Sequence, residues 1–200
     1  MLGAIIGDIV GSRFEWINNR SKDFDFLTYK CFATDDSIMS LAIAKAILDS
    51  KKDRSNLGDL AINWMQTLGK KYPNAGYGGR FSQWLRESNP QPYNSWDNGS
   101  AMRVSACGFV ANSIDEAILL SKSVTEVTHN HPEGIKGAEY ESSYLCAFFL
   151  LYALGFGGFL VTGFIPFQVL RFFWSSSRFA FFESFSYGTN FSIKHLRNIY

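Results

Sequence analysis

Two hundred residues and 22.6 kDa hold one domain, or at most two small ones, with room for a real hydrophobic core. Hydrophobic residues make up 46% and charged residues only 18%, which excludes an intrinsically disordered chain, and a net charge of +1 offers no basic field to nucleic acid. Cys31, Cys107 and Cys146 stand far apart with no Cys-x-x-Cys, so neither a disulfide framework nor a cysteine zinc site is expected, and a reducing, cytoplasmic compartment is.

The opening segment MLGAIIGDIVGSRFE places Gly3, Gly7 and Gly11 at four-residue steps. On a helix they form one face stripped of side chains, against which a neighbouring helix could pack closely. Asp8 and Glu15 lie two turns apart on roughly one face of the same apolar stretch, and a buried acid wants a cation, a hydrogen-bond donor or a metal. The apolar run Met1–Ile6 is too short for a signal peptide, and Asp8 interrupts it.

Thr34 is an N-cap candidate, with Asp35 and Asp36 in the first turn of a helix whose apolar residues recur from Ile38 to Leu48. The same tripeptide carries the strongest chemical signal. A hydroxyl and two adjacent carboxylates at a helix start offer three hard oxygen ligands within one turn, a donor set suited to Mg²⁺ or Mn²⁺. An ordinary cap, with acids favouring the helix dipole, is the commoner source of such a tripeptide.

Asn56 could cap a helix running through Leu68 and ended by Gly69 and then Pro73. Gly79 to Ser88 and Ser100 to Ala111 read as two shorter helices. Ser113, followed by Asp115 and Glu116, caps another through Val127, and Glu133 opens a last one. Two Gly- and Asn-rich connectors, KKYPNAGYGGR and NPQPYNSWDNGS, let backbone approach a ligand. At the end of the second, Asn98, Gly99, Ser100 and Ala101 present amide, backbone and hydroxyl groups at a helix N-terminus, an anion cradle, though such turns are frequent without function. His129-Asn-His131 has metal-like spacing, but Pro132 follows and no third ligand is near, so a polar loop is the simpler reading. With no internal repeat and no Rossmann fingerprint, the pattern predicts an all-α domain.

Past Glu141 the chain changes character. Of 19 phenylalanines, 13 fall in residues 146–200, and residues 142–170 contain no charge across 29 positions. By length and hydropathy that run is a transmembrane candidate. Gly155, Gly157, Gly158, Gly163 and Pro166 weaken it as a helix, and a buried core helix followed by loop is the bland alternative.

Taken in order, GAIIGDIVGSRFE, ATDDSIMSLAIAKA, YGGRFSQWL, NGSAMRVSACGF and VTHNHPEGIKGAE resemble the ADP-ribosylglycohydrolase family, relatives of the dinitrogenase-reductase-activating glycohydrolase, over about residues 1–141. The resemblance implies a multi-helix bundle with a two-metal Mg²⁺ or Mn²⁺ centre that hydrolyses the glycosidic bond between ADP-ribose and a protein side chain or small molecule. It makes Thr34, Asp35 and Asp36 the N-terminal share of the metal ligands, with Glu15 beside them assisting the reaction along with Asp35 and Asp36. It makes Gly78, Gly79, Asn98, Gly99, Ser100 and Ala101 the lining of the ADP-ribose groove, and His129 a substrate contact.

The family completes its metal site with a distal Gly-Gly-Asp-x-Asp-Thr motif, and none occurs here. The last aspartate is Asp115, and the one Asp-x-Asp, Asp23-Phe24-Asp25, is in the wrong place. These departures lead to the expectation of a bundle incomplete at its C-terminus, at most half a metal site, activity in question, and a tail, residues 142–200, translated out of frame or from a disrupted gene. The DNA sequence around codon 142 tests that last point. Two other readings stay open: a non-catalytic ADP-ribose-binding remnant, and a membrane-anchored protein using residues 145–170 as a span.

Overall fold

Helix α2, Asp35–Asp49, is the axis around which the other elements are laid, and its sequence explains why. Ile38, Met39, Ala42, Ile43, Ala46 and Ile47 are buried, and so are the small polar residues Ser37 and Ser40, leaving Leu41, Leu48 and Asp49 as its exposed positions. A helix covered on most of its circumference needs no polar stripe. In this computed structural model the described residues are 1–151 apart from Asn18 and Arg20, and they form seven α-helices and two short 3-10 turns with no strand. The fold is all-α, as the pattern predicted.

Helix α1 spans Leu2–Gly11 and continues as a 3-10 turn, Ser12–Phe14, so Glu15 sits just beyond it. Its inward face is Ala4, Asp8 and Val10. Of the three glycines on its predicted small-residue face, Gly3 is exposed, and a methyl group on it would meet nothing within 4 Å, while Gly7 and Gly11 are half-buried. Helix α3, Leu57–Lys71, presents Leu57, Ala61, Met65 and Gly69 at four-residue steps. Gly69 therefore does not end the helix but faces the core, where a Cβ would press on the Leu85 side chain at 2.7 Å. Asn56 occupies the cap position without a side-chain hydrogen bond to the helix.

Helix α4 covers only Gly79–Trp84, shorter than the sequence suggested, with Phe81 and Trp84 stacked and buried. The segment from Ser100 splits into a 3-10 turn, Ala101–Arg103, and α5, Ser105–Val110. Helix α6, Ile114–Thr125, opens on Ser113, whose hydroxyl accepts the Glu116 N–H at 3.1 Å while Glu116 accepts from the Asn112 N–H at 2.8 Å. The pair resembles a capping box shifted by one residue, because Glu116 takes the N–H of the residue before the cap, and it satisfies donors at the helix start. Helix α7, Pro132–Leu151, packs on both α5 and α6 and runs ten residues past Glu141, where the motif resemblance ends. Gly108 makes the α5–α7 approach possible, since any Cβ there would lie 2.3 Å from the Ser142 carbonyl oxygen.

All three cysteines are free thiols. Among the described residues no helix is long and apolar enough to cross a membrane. The candidate span beyond Leu151 and most of the proposed out-of-frame tail lie outside the described residues.

Candidate active site

Asp8 comes inward from α1 and fastens it to the start of α2. Its carboxylate accepts four hydrogen bonds: from the Thr34 N–H at 2.9 Å, the Thr34 hydroxyl at 2.5 Å, the Ser37 N–H at 3.3 Å and the Ser37 hydroxyl at 2.5 Å. The demand of a buried acid for a partner is met here by donors, two of them amides exposed by a helix N-terminus. The Thr34 hydroxyl gives its proton to Asp8 and accepts the Asp36 N–H at 3.4 Å, which makes Thr34 the cap the sequence predicted.

Asp35 and Asp36 differ from Asp8 in having few donors. The Asp36 Oδ1 atom is buried with no hydrogen-bond partner. Burial first, and then the charges of Asp8 and Glu15, push the Asp35 carboxyl up to about 7. Burial, followed by Asp35, Asp8 and Glu15, pushes Asp36 up to about 8. Glu15 is thus near enough to both to be felt electrostatically, so four acids gather at one end of α2.

The loop before α4 closes this end. The Asp35 N–H donates to the Ala75 carbonyl at 2.6 Å, and Gly76, at φ +95°, turns the chain away so that its α-carbon faces Asp35 Oδ1. Only glycine adopts that φ without cost. Tyr77 stands close by: burial and the Asp35 charge raise its phenol to about 12. Gly78 and Gly79 follow, exposed, with nothing within 4 Å of a Cβ on either.

The second predicted cluster is joined to the first through α2, because the Ser40 hydroxyl donates to the Met102 carbonyl at 3.1 Å. Asn98 is exposed, Gly99 half-buried, and Ser100 buried with its hydroxyl on the Gly134 carbonyl at 3.0 Å. His129 lies beneath this turn, only 3% exposed, and a Cβ on Gly99 would sit 3.3 Å from its Nε2. Burial and the Arg103 guanidinium hold the imidazole down to about 3, so it is neutral at physiological pH. The two histidines of His129-Asn-His131 diverge: His131 Nδ1 instead accepts the Glu133 N–H at 3.1 Å at the start of α7. Their connecting Asn130 accepts the Asn94 N–H at 2.7 Å, tying the 89–100 loop to this corner.

Two residues here escaped the sequence reading. Arg103, 1% exposed, runs through the interior to the Val124 carbonyl and the Thr128 hydroxyl. Thr128 links it to His129. A buried arginine inside an alternating apolar segment gives no pattern signal, and a threonine before a histidine gives less.

A family model of the ADP-ribosylglycohydrolases matches residues 1–152. The chain belongs to the ADP-ribosylglycohydrolase family. Among curated proteins it is similar to the ADP-ribosylhydrolase ARH3 of Xenopus tropicalis, with 28% identity over 167 residues, covering 69% of this chain and 46% of that protein. The chain therefore spans about half the length of the curated relative it matches. An ADP-ribosylglycohydrolase of this kind is expected to carry metal, and the oxygen donors at the α2 end fit one. Asp36 Oδ1 is an orphaned buried acceptor, burial and the neighbouring acids raise Asp35 and Asp36, and the Thr34 hydroxyl keeps one lone pair uncommitted. Among the described residues, however, no three His, Cys, Asp or Glu side chains converge to hold an ion.

Proposed function

We propose that this chain is a metal-dependent glycohydrolase of ADP-ribose linked to a protein side chain or a small molecule, with Mg²⁺ or Mn²⁺ held in part by Thr34, Asp35 and Asp36. The observation that carries the reading is the pairing of Asp35 and Asp36, two carboxyls raised by burial and by neighbouring acids, with the buried Asp36 Oδ1 left without a donor. A divalent ion bound there supplies Lewis-acid activation of a water and orientation of the ribose hydroxyls. The chain's own residues do the rest. Asp8 holds α1 against the first turn of α2 and so fixes where Asp35 and Asp36 stand. Glu15, whose charge is felt by both Asp35 and Asp36, takes or returns a proton in this reading. Gly76 brings the loop before α4 up to Asp35, and the exposed Gly78 and Gly79 beyond it carry no side chain to obstruct a bulky nucleotide. His129 supports the Asn98–Ala101 turn from beneath.

The test is ADP-ribose release from arginine-, serine- and small-molecule-linked substrates with added Mg²⁺ or Mn²⁺. Release is expected to depend on the metal and to fall roughly 100-fold in Asp35→Ala or Asp36→Ala, since several kcal/mol of transition-state stabilisation are removed. No release from any substrate with either metal would refute the activity.

One observation favours a second reading. No Asp-x-Asp-Thr motif exists in the chain to face Thr34-Asp35-Asp36, so a non-catalytic ADP-ribose binder is the natural alternative. Calorimetry separates the two: binding of ADP-ribose that chelator leaves unchanged, without hydrolysis, supports the binder.

A further inference from the structure

Arg103 is a buried cation that takes part in no ion pair among the described residues. Its Nη2 donates to the Val124 carbonyl at 2.9 Å and to the Thr128 hydroxyl at 2.8 Å. A hydroxyl has one proton and two lone pairs, so Arg103 fills one lone pair and leaves the proton to be placed. Two acceptors compete for it: His129 Nδ1 at 2.7 Å and the Thr125 carbonyl at 3.4 Å. The Thr125 carbonyl already accepts the Thr128 N–H at 3.1 Å and the His129 N–H at 2.8 Å, which occupies both its lone pairs. The proton therefore goes to Nδ1, and 2.7 Å is the ordinary length for a hydroxyl donor. Donation from a cation into the hydroxyl polarises it and strengthens the bond it makes.

A neutral imidazole that accepts at Nδ1 carries its proton on Nε2. That nitrogen faces Gly99, whose missing side chain is what lets the ring lie so close under the turn. We propose that Arg103 and Thr128 are positioning residues, a relay that fixes His129 in its Nε2–H tautomer and turns that donor toward the Asn98–Ser100 turn. The site then offers a ligand a donor and not an acceptor at this point, so the group it takes is an acceptor oxygen of the nucleotide. The choice of ligand rests on the ADP-ribose reading; the tautomer does not.

The experiment is a two-bond ¹⁵N–¹H correlation spectrum of the whole chain with ¹⁵N-labelled histidine, with His129 assigned through His129→Asn. Wild type is expected to show a bare Nδ1 and a protonated Nε2 from roughly pH 5 to 8. Thr128→Ser keeps that signature, and Thr128→Val, which cannot donate, loses it and raises the Kd for ADP-ribose about tenfold. A protonated Nδ1 in wild type, or an unchanged signature in Thr128→Val, would overturn the relay, and the wild-type spectrum decides even if the valine variant fails to fold. Failure of the two readings is distinguishable. The expected tautomer without ADP-ribose binding upholds the relay and removes its ligand, whereas ADP-ribose binding with the opposite tautomer sinks the relay alone.

Discussion

Replacing Glu141 by Gln removes a titrating group from the interior while keeping its size. Glu141 is 5% exposed, its Oε2 has no hydrogen-bond partner, and burial alone pushes its carboxyl up to about 7. In the unfolded chain a glutamate titrates near 4.3. Between these values the folded protein keeps a proton that the unfolded chain has lost. Stability contributed by the neutral acid is therefore fully present below about pH 4.3 and declines as the pH rises through about 7, above which it stays constant. At 1.36 kcal/mol for each pH unit between the two values, the loss is about 4 kcal/mol. Urea unfolding of wild type and Glu141→Gln at intervals from about pH 4 to 8 reads it directly.

Asp35 and Asp36 also titrate in this range, but they do so in both proteins. No neighbouring charge contributes to the position of Glu141, so the difference between the two curves isolates it. The stabilities should converge at low pH, and the Gln variant should be the more stable by about 4 kcal/mol at the alkaline end. Parallel curves would refute the reasoning, because they would mean that the Glu141 carboxyl is hydrated or paired.

Gly108→Ala forces a Cβ against the Ser142 carbonyl at the α5–α7 contact and should cost about 3 kcal/mol or more, seen as a lower urea midpoint at unchanged m-value. Gly3→Ala, with nothing within 4 Å of the new methyl group, should instead stabilise α1 by roughly 0.5–1 kcal/mol in the same assay, and a loss would show that Gly3 is packed after all. Asp8→Asn puts an amide where four donors converge and should cost about 2 kcal/mol. That measurement belongs near pH 5, where Asp35 and Asp36 are protonated and relief of their repulsion cannot mask the loss.

The features legible in the sequence were those with local causes. Thr34 and Ser113 announced their helices because a cap is made by a side chain and the next turn of backbone. Gly69 misled because a glycine near a helix end looks the same whether it terminates the helix or admits a neighbour, and the neighbour, Leu85, is 16 residues away. Glu15 was placed on α1 by counting turns, yet the α-helix tightens to a 3-10 turn after Gly11. The two acids still meet at the same cluster, because their nearness to Asp35 and Asp36 is set by how α1 docks on α2. His129 was found by resemblance, but its surroundings were not. Arg103 comes from a segment 26 residues earlier, and the single threonine between them has no chemistry of its own until both neighbours are in place.

The acids at the α2 end divide by environment and not by position in the chain. Asp8 has four donors and no unmet demand, so its charge is spent on architecture: it joins α1 to α2 and caps the helix that carries the other two. Asp35 and Asp36, one and two residues past the cap, receive little from the helix and are held at about 7 and 8. A raised carboxyl is a folding cost at neutral pH, about 1.4 kcal/mol for each unit above its unfolded value. Packing alone could have relieved it, since Thr34 and Ser37 show that donors are available within one turn. The donors are directed to Asp8 instead, which leaves Asp35 and Asp36 electrostatically unsatisfied at the start of α2. In the proposed metal-dependent reading, that combination is what lets the start of α2 receive a cation from outside.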